Sequence, residues 1–324
     1  MNSMKAVTAI GCALVMLTTG PGPASAQDAK ATEVLAKTRE ALGGTAIERL
    51  KTLSVEASMQ RNVGQMQMSS DVEMLLEMPD KFVRNETSRG PMNMTMSTGF
   101  NGDTAILPSG AMMTAPGAMV IRMGPGGPLP AEAPKPTDEQ KAQMNATAVR
   151  NARAELSRMM LGWFGMTHPS LKAQYTYAGE AESPDGRAHV IDVKDGDGFE
   201  ARLFIDQSSH LPLMVTFKGR QPRMMVSRGP APVTASPQGG DTRQMTEEER
   251  KKLQEETEAQ LKKELAEQPL VEFSLFFDDW RKVDGLMFPH IMRRAVGGET
   301  NEEWTINKVK VNPKIDARKF EVSR

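Results

Sequence analysis

The chain has 324 residues, of which 40 are Lys or Arg and 41 are Asp or Glu, so its formal net charge at pH 7 is −1. A balance this even offers no electrostatic field for nucleic acid or for an anionic membrane surface, and we expect neither as a partner. Cys12 is the only cysteine. A single thiol excludes a disulfide framework within the chain and a metal site built on several thiolates.

The N-terminal segment has the order of a secretory signal. Lys5 supplies the positive charge, residues 6–18 form the apolar stretch, and Ala24-Ser25-Ala26 is a small-x-small cleavage site. The apolar stretch is shorter than the roughly 20 residues that a bilayer-spanning helix needs, which disfavours an integral membrane protein. We therefore expect an exported protein that is cleaved after Ala26, so that the mature form, residues 27–324, has lost Cys12.

The first part of the mature chain changes from helical to strand periodicity. Ala31 to Leu42 predicts a short amphipathic helix that ends at the Gly43-Gly44 pair. From Leu53 onward apolar residues recur at every second position, which is typical of strands with one buried face. Hairpin turns such as Asn101-Gly102 join these short strands, so we expect an antiparallel meander.

A long helix interrupts this series of strands. Residues 108–136 are rich in Pro, Gly, Ala and Met and are predicted to form a long mobile loop. Thr137 and Gln140 then form a capping box that opens a helix over residues 138–164. Its apolar stripe contains Met144, Val149, Ala152, Leu156, Met159, Met160 and Trp163. A helix that leaves the middle of a meander is well placed to lie across the concave side of a curved sheet, as a plug or lid.

The remaining chain returns to strands. Alternating residues and turn sequences predict strands between Ala173 and Phe217, and again from Val271 to Val311. Residues 229–268 are predicted to be an insertion, in which a linker rich in Pro, Ser and Gly leads to a charged helix at Thr246 to Glu267. Because no helix alternates regularly with the strands, parallel βαβ architecture is disfavoured. We predict a mainly β chain with one curved antiparallel sheet in a single domain.

Motifs near both ends of this domain occur together in one family. The C-terminal hairpin combines a polar-aromatic strand, a Val-Asp-Gly turn and a strand that starts in Phe-Pro-His, and its sequence is Phe276-Phe277-Asp278-Asp279-Trp280-Arg281-Lys282-Val283-Asp284-Gly285-Leu286-Met287-Phe288-Pro289-His290. Residues 303–313 and 316–320 match the terminal strand and tail of the same family, and residues 41–53 match the start of its domain. In these stretches the sequence resembles the outer-membrane lipoprotein carrier (LolA/LolB-like) superfamily, of the outer membrane lipoprotein-sorting protein type.

The resemblance implies both a fold and a role. It implies an incomplete barrel, or half-barrel, of about eleven antiparallel strands with helices covering its concave face. It also implies a periplasmic carrier without catalytic activity, whose apolar cavity holds a lipid, lipoprotein acyl chains or a similar hydrophobic ligand.

Methionines and aromatic residues are the candidates for such a cavity. The chain has 25 methionines, and several alternate along predicted strands, so that each set lines one surface with flexible thioethers that can repack around variable acyl chains. The residues predicted to line the ligand cavity are Met66, Met68, Met92, Met94, Met96, Leu156, Met160, Trp163, Phe273, Leu275 and Phe277. Ordinary core packing explains such methionines as well, because methionine is a common gap filler.

Two other functions stay open at this stage. A protein of this fold could sense the state of the cell envelope by binding a partner protein, with the charged helix at 246–267 as a contact surface. Soft thioethers also select Cu(I), and a copper site would use the methionines of the 108–136 loop. Those methionines are Met112, Met113, Met119 and Met123.

The sequence contains no familiar catalytic pattern, so we expect no enzyme, no cofactor and no metal. The histidines lack the spacing that places two zinc ligands on one face; they are His168, His189, His210 and His290. Asp195-Gly196-Asp197-Gly198 lacks the distal Glu of a calcium loop and is predicted to be a hairpin turn. Asp278 and Asp279 are strand neighbours that point to opposite faces, so they cannot act as an acid/base pair.

Overall fold

The computed structural model describes residues 15–17, 24–64, 66–89, 93–108, 111–115, 118–121, 137–184, 186–220 and 269–321. The helices are α1 (Ala24–Leu42), α2 (Thr45–Glu48) and α3 (Asp138–Phe164), and a 3-10 turn at Ala317–Phe320 follows the last strand. The strands are β1 (Val15–Leu17), β2 (Thr52–Val63), β3 (Met66–Glu77), β4 (Lys81–Ser88), β5 (Thr95–Asn101), β6 (Thr104–Ile106), β7 (Ala111–Ala115), β8 (Ala118–Ile121), β9 (Gln174–Ser183), β10 (Gly186–Lys194), β11 (Glu200–Asp206), β12 (Pro212–Arg220), β13 (Leu270–Val283), β14 (Leu286–Val296) and β15 (Glu299–Val311).

One antiparallel sheet contains thirteen of these strands, in the order β1-β9-β10-β11-β12-β13-β14-β15-β2-β3-β4-β5-β6. In the described part of the chain the edge strands β1 and β6 do not pair with each other, so the sheet is open. Twelve of the strands lie between Thr52 and Val311, and the thirteenth, β1, lies within the predicted signal segment and pairs with β9. The predicted mainly β fold with one open antiparallel sheet is confirmed, with slightly more strands than expected.

The sheet curves around α3. Arg153 donates a hydrogen bond from Nη2 to the carbonyl oxygen of Gly102 (3.0 Å), which follows β5, and the Arg158 guanidinium lies 4.1 Å from the ring centre of Phe217 on β12. β5 and β12 are seven strand spacings apart in the sheet, about 33 Å if the sheet were flat. Arg153 and Arg158 are only about 7.5 Å apart along the helix axis. This short piece of helix reaches both strands because the sheet wraps around it.

The hydrophobic core lies between the concave face and the helices. It combines side chains of two helices and of the sheet. They are Val34, Leu35 and Leu42 from α1; Leu156, Met160, Trp163 and Phe164 from α3; and Leu53, Val55, Leu76, Phe100, Phe277 and Phe288 from the strands. The rings of Trp163 and Phe288 have centres 5.2 Å apart, so α3 and β14 contact each other through aromatic side chains. This core fixes the C-terminal half of α3 to the sheet.

Local sequence signals set both ends of α3. Thr137 Oγ1 accepts a hydrogen bond from the Gln140 amide (3.2 Å), and Gln140 Oε1 accepts one from the Thr137 amide (2.8 Å), which completes the predicted capping box. At the other end Gly165 has a left-handed conformation with φ 62°, which glycine adopts without steric cost. The predicted helix at 138–164 is confirmed.

Two predicted boundaries differ from the structure. α1 begins at Ala24 rather than Ala31, because Ala, Gln and Lys in this stretch are good helix formers. Within the segment predicted to be a loop, β7 and β8 form a separate two-stranded sheet, since their Thr, Val and Ile residues favour strands. Residues 122–136 and the predicted insertion at 229–268 lie outside the described residues. Among the helices that are described, none has the length and apolarity to cross a bilayer.

Gly162 is where α3 packs most tightly against the sheet, and replacing it tests the attachment of this half of the helix. A methyl group at this position would lie 2.0 Å from the ring of Phe277, which is 1 % exposed. We expect Gly162→Ala to lower the free energy of unfolding by about 1–3 kcal/mol through overpacking, although alanine is a better helix former by about 1 kcal/mol. Urea unfolding measures the change.

Gly196→Ala is the control for this substitution, because nothing lies within 4 Å of a methyl group added in that hairpin turn. An unchanged or increased stability of the Gly162→Ala variant would contradict close packing of α3 on β13.

Candidate binding site on the concave face

Five of the predicted cavity residues meet where α3 packs on the sheet. Leu156 and Met160 are 0 % exposed, Trp163 and Phe277 are 1 % exposed, and Leu275 packs against the same core. At this level the space expected to hold a ligand contains side chains of α3 itself. A ligand that uses this part of the concave face therefore has to displace the helix or share the space with it.

Phe273 continues the same face of β13 towards the N-terminal half of α3. It lies directly opposite Phe217 in the β12–β13 pair, and the two rings are stacked with centres 5.1 Å apart and planes 10° apart. Gly219 allows this arrangement, since a methyl group there would lie 3.1 Å from the Phe273 ring. The stacked pair forms an aromatic surface beside the core.

The predicted methionine surface is divided between two environments. Met66 is 67 % exposed and Met68 38 % exposed at the end of the β2–β3 hairpin. Met94 and Met96 are half-buried, and Met96 lies opposite Glu86 in the β4–β5 pair. Met92 lies outside the described residues. The structure thus does not gather these methionines around the buried part of α3, and their role in a cavity stays a prediction.

Charged side chains cover the part of the concave face next to the core. Arg61 contacts Glu302 (3.0 Å) and Glu86 (3.2 Å), while Arg84 contacts Glu86 (2.9 Å) and Glu155 of α3 (3.3 Å). The Glu302 side chain is 4 % exposed and that of Arg84 12 % exposed, so most of this group is shielded from water. We call these five residues the arginine–glutamate layer.

Glu302 is the most deeply buried charge of this layer. Burial opposes its ionisation, but the positive charges of Arg84, Arg61 and Arg294 outweigh burial and lower its pKa below the ordinary 4.5. Its Oε1 also accepts a hydrogen bond from Trp304 Nε1 (2.5 Å), and the Arg84 guanidinium lies 4.6 Å from the Trp304 ring centre. Glu302 is therefore ionised at neutral pH and holds together β15, β2 and β4.

Two further arginines contact aromatic rings and form no ion pair within 4 Å among the described residues, although Glu155 lies near Arg158 and Glu302 is the strand partner of Arg294. The Arg158 guanidinium lies 4.1 Å from the ring centre of Phe217 and 5.3 Å from that of Phe199, and the Arg294 guanidinium lies 5.0 Å from that of Phe273. The Nε atoms of both arginines are buried without a hydrogen-bond partner in the described part of the chain. Burial lowers the pKa of Arg158 to about 10, with Glu155 opposing this change and Arg294 adding to it. The Arg158 guanidinium remains positively charged at neutral pH.

The sequence analysis did not identify these charged residues. On β2 the inward positions Val55, Ala57 and Met59 lead directly to Arg61, and on β14 the inward position after Met292 is Arg294. Extending the alternation of each strand to its end would have placed both arginines on the concave face. An inward-facing charge at the end of an apolar series is the signal that could have revealed them.

A hollow lies on the opposite face of the sheet. It has a volume of about 640 Å³ and is lined largely by polar and charged residues, among them Glu56, Asp71, Glu73, Asn85 and Arg318. Such a lining does not suit an acyl chain, because unpaired polar groups lose hydration when apolar surface covers them. The concave face is the better candidate for a hydrophobic ligand.

The other titratable residues considered for chemistry have structural contacts. The His168 ring is buried, which lowers its pKa, and its two nitrogens bond to Ser170 Oγ (2.7 Å) and the Pro79 carbonyl (2.5 Å). Asp278 contacts Arg293, whereas Asp279 contacts Arg281 (2.5 Å). Within the described ranges no three His, Cys, Asp or Glu residues are grouped so as to hold a metal ion.

Comparison with known proteins relates the chain to solved structures alone: no protein-family model and no curated protein matches the sequence. A LolA superfamily protein from Nitrosomonas europaea is 10 % identical, with 90 % of this chain and 97 % of that chain covered and a TM-score of 0.46. A putative outer membrane lipoprotein-sorting protein domain from Vibrio parahaemolyticus is 11 % identical, with 90 % and 97 % covered and a TM-score of 0.42. A chain of the Pseudomonas aeruginosa MucA/MucB complex is 9 % identical, with 88 % and 100 % covered and a TM-score of 0.21.

The first two structures bear the names of the superfamily that the sequence resembles. Because all three TM-scores are below 0.5, what these proteins bind is not transferred to this chain.

The charge of Glu302 should make the stability of the protein depend on pH. We expect Glu302→Gln to lower the free energy of unfolding by about 3 kcal/mol at neutral pH, because Arg61 loses a buried partner. Since the folded-state pKa of Glu302 is lowered, its contribution is complete above the ordinary carboxyl pKa and is lost as the pH falls through the folded value. The difference between wild type and variant should therefore shrink in acid.

Urea unfolding at a series of pH values measures this difference. Glu303→Gln, an exposed neighbour on the other face of β15, is the control and should change stability by no more than about 0.5 kcal/mol. A constant difference between wild type and Glu302→Gln at all pH values would contradict an ionised Glu302.

Proposed function

We propose that the protein is a non-catalytic periplasmic carrier that binds a lipid, lipoprotein acyl chains or a similar hydrophobic ligand between α3 and the concave face of its sheet. In this proposal α3 is a movable cover that the ligand displaces. The single observation that supports it is the unequal attachment of α3, which is buried at its C-terminal half and largely exposed at its N-terminal half.

The burial of α3 changes abruptly along its length. From Leu156 to Phe164 every residue except Arg158 is buried, whereas between Asp138 and Glu155 only Val149 is buried. The C-terminal half therefore loses much apolar contact if it leaves the sheet, and the N-terminal half loses little. Opening by a pivot near Leu156, where the buried stretch begins, would keep the tightly packed end in place.

Polar contacts hold the N-terminal half of α3 to the far end of the sheet. Asn145 Oδ1 accepts a hydrogen bond from the Ala105 amide (2.8 Å), and its Nδ2 donates to the Asp103 carbonyl (2.6 Å). Each contributes about 1 kcal/mol. Burial of an acyl chain yields about 0.8 kcal/mol for each methylene group. A few methylenes are thus enough to offset the loss of the two Asn145 hydrogen bonds, and further methylenes would offset the contacts of Arg153 and Glu155 with the sheet.

The setting of the protein agrees with this role. The predicted signal at residues 1–26 supports export, and the sequence resemblance to lipoprotein carriers supports a periplasmic location. The surfaces invoked for a sensor that binds a partner protein, and for a Cu(I) site, belong to residues 246–267 and 112–123. The side chains of both segments lie outside the described residues, so these two functions stay predictions.

Protein purified from an exporting host should carry bound lipid. We expect native mass spectrometry to show adducts with the mass of acyl-chain lipids, and solvent extraction to release them. After removal of lipid, a naphthylamine dye should bind with increased fluorescence and be displaced by laurate. A lipid-free preparation that also fails to bind the dye would contradict the proposed function.

Loosening the N-terminal half of α3 should make ligand binding easier. Asn145→Ala removes both contacts to the β5–β6 region, so the open state becomes more populated and the apparent affinity for the dye should rise about threefold to tenfold. Asn307→Ala is the matched control, because it removes an asparagine hydrogen bond to Ser58 Oγ (2.9 Å) on the opposite face of the sheet. Fluorescence titration measures both variants, and equal affinities would show that α3 does not have to move.

A further inference from the structure

We propose that Arg158 and Arg294 form a subsite that binds the anionic oxygens of the ligand's head group, while Phe199, Phe217 and Phe273 contact the adjoining part of its chain. The inference rests on the proposed function and adds a ligand class to it, an amphipathic molecule with one acyl chain and a carboxylate or phosphate head. The inference rests on the observation that neither arginine forms an ion pair with a described residue.

The other arginines of the concave side have carboxylate partners. Arg61 and Arg84 contact glutamates of the arginine–glutamate layer, and Arg153 contacts Asp103 at 3.2 Å. Arg158 and Arg294 differ, since neither has an ion pair among the described residues; each also has a buried Nε without a hydrogen-bond partner, a feature shared by Arg153 and Arg293. Both side chains are half-buried, and a cation that loses hydration without an ion-pair partner is costly, which favours an anion bound beside them.

The balance of charge on the concave face also favours an anion. The four arginines at positions 61, 84, 158 and 294 face three glutamates at positions 86, 155 and 302. The positive charges of these seven residues exceed the negative ones by one, and Arg158 and Arg294 are the two of the four arginines that form no ion pair among the described residues. A single carboxylate, or a phosphate with one ester, would neutralise this excess.

The Nη donors of both arginines form no hydrogen bond in the described part of the chain and are available to a ligand, whereas each Nε is buried. A guanidinium group over an aromatic ring uses its face for the contact, and its N–H groups point outward in the plane. Arg158 lies over Phe217, Arg294 lies over Phe273, and these two rings stack on each other. The planar fork of donors matches the geometry of carboxylate and phosphate oxygens.

The position of this pair suits an amphipathic ligand. Arg158 lies on α3 where the buried C-terminal half begins, next to Leu156 and Met159 of the core. A head group bound here would direct an attached chain along the concave face, into the space that the N-terminal half of α3 covers. An anion beside Arg158 would also reverse the lowering of its pKa by burial and by Arg294.

Calorimetric titration of the delipidated protein tests this subsite with three probes. Laurate has the acyl chain and an anionic head, monolaurin has the same chain and a neutral head, and inorganic phosphate has the anion alone. We expect laurate to bind wild type about ten- to a hundredfold more tightly than monolaurin, because a hydrogen bond to a charged group changes affinity by about that factor. Phosphate should bind far more weakly than either acyl probe. Arg158→Gln and Arg294→Gln should each remove most of the preference for laurate without weakening monolaurin.

Arg293→Gln is the matched control. Arg293 is the neighbour of Arg294 on the same strand, faces the other side of the sheet, contacts Asp278 and lies over an aromatic ring, Phe276, at 5.7 Å. This variant should keep the preference for laurate. Arg158→Met and Arg294→Met, which retain the apolar stem, repeat the test if a glutamine variant unfolds at lower urea concentration.

The possible results separate this inference from the carrier proposal. Equal binding of laurate and monolaurin to wild type, or an unchanged preference in all Arg158 and Arg294 variants, would overturn the subsite and leave the carrier intact. The subsite would also be overturned if phosphate bound tightly through the two arginines while laurate and monolaurin bound equally. The ligand of these arginines would then be a free inorganic anion and not the head group of an acyl-chain molecule. Failure of both acyl probes to bind would overturn both proposals.

Discussion

An open, curved sheet has a concave apolar face that cannot be left in water, and the way this face is covered determines the rest of the structure. α3 covers it, and no other described helix contacts strands near both ends of the sheet. The tight packing of Gly162 on Phe277, the burial of Trp163 and the reach of Arg153 to the β5–β6 turn all follow from that position. A helix that is bound firmly at one end and weakly at the other is a natural cover for a site that opens.

Electrostatics divides the concave face into two parts. In the arginine–glutamate layer each charge has a partner, so Glu302 can be almost completely buried and still be ionised. Arg158 and Arg294 contact aromatic rings and form no ion pair among the residues that the structure describes. The first part supports the fold, and the second leaves hydrogen-bond donors for a ligand. An apolar chain with an acidic head would use both the core surface and these donors.

The sequence predicts much of the fold because its strongest signals are local. The capping box at Thr137 and the glycine after Phe164 set the ends of α3, and alternation along the strands distinguishes the buried face from the exposed one. Helical spacing also identified Leu156, Met160 and Trp163 as residues that point into the concave face. These features depend on neighbours within a few positions, which a single sequence records.

The remainder of the site depends on contacts between distant parts of the chain. Arg84 meets Glu155, and Arg158 meets Phe217, only because the sheet curves, and nothing in either segment alone specifies those pairs. Met66 and Met68 alternate as a buried surface would, but they lie at the end of a hairpin beyond the core and are exposed. Alternation of apolar residues predicts which face of a strand points to the core. Whether a residue on that face is covered also depends on how far the hairpin extends beyond the core.

The most direct test of the account is whether α3 opens at one end when ligand binds. One pair of spin labels, at Gln143 and Thr104, joins the N-terminal half of α3 to the far end of the sheet. A second pair, at Lys172 and Lys51, is the reference near the fixed end. All four residues are exposed. In a Cys12→Ser background, the distance between the first pair measured by pulsed electron resonance should lengthen with laurate, and that of the reference pair should stay constant. A first-pair distance that does not change while laurate binds, or a change in both pairs, would contradict a cover that pivots on its packed end.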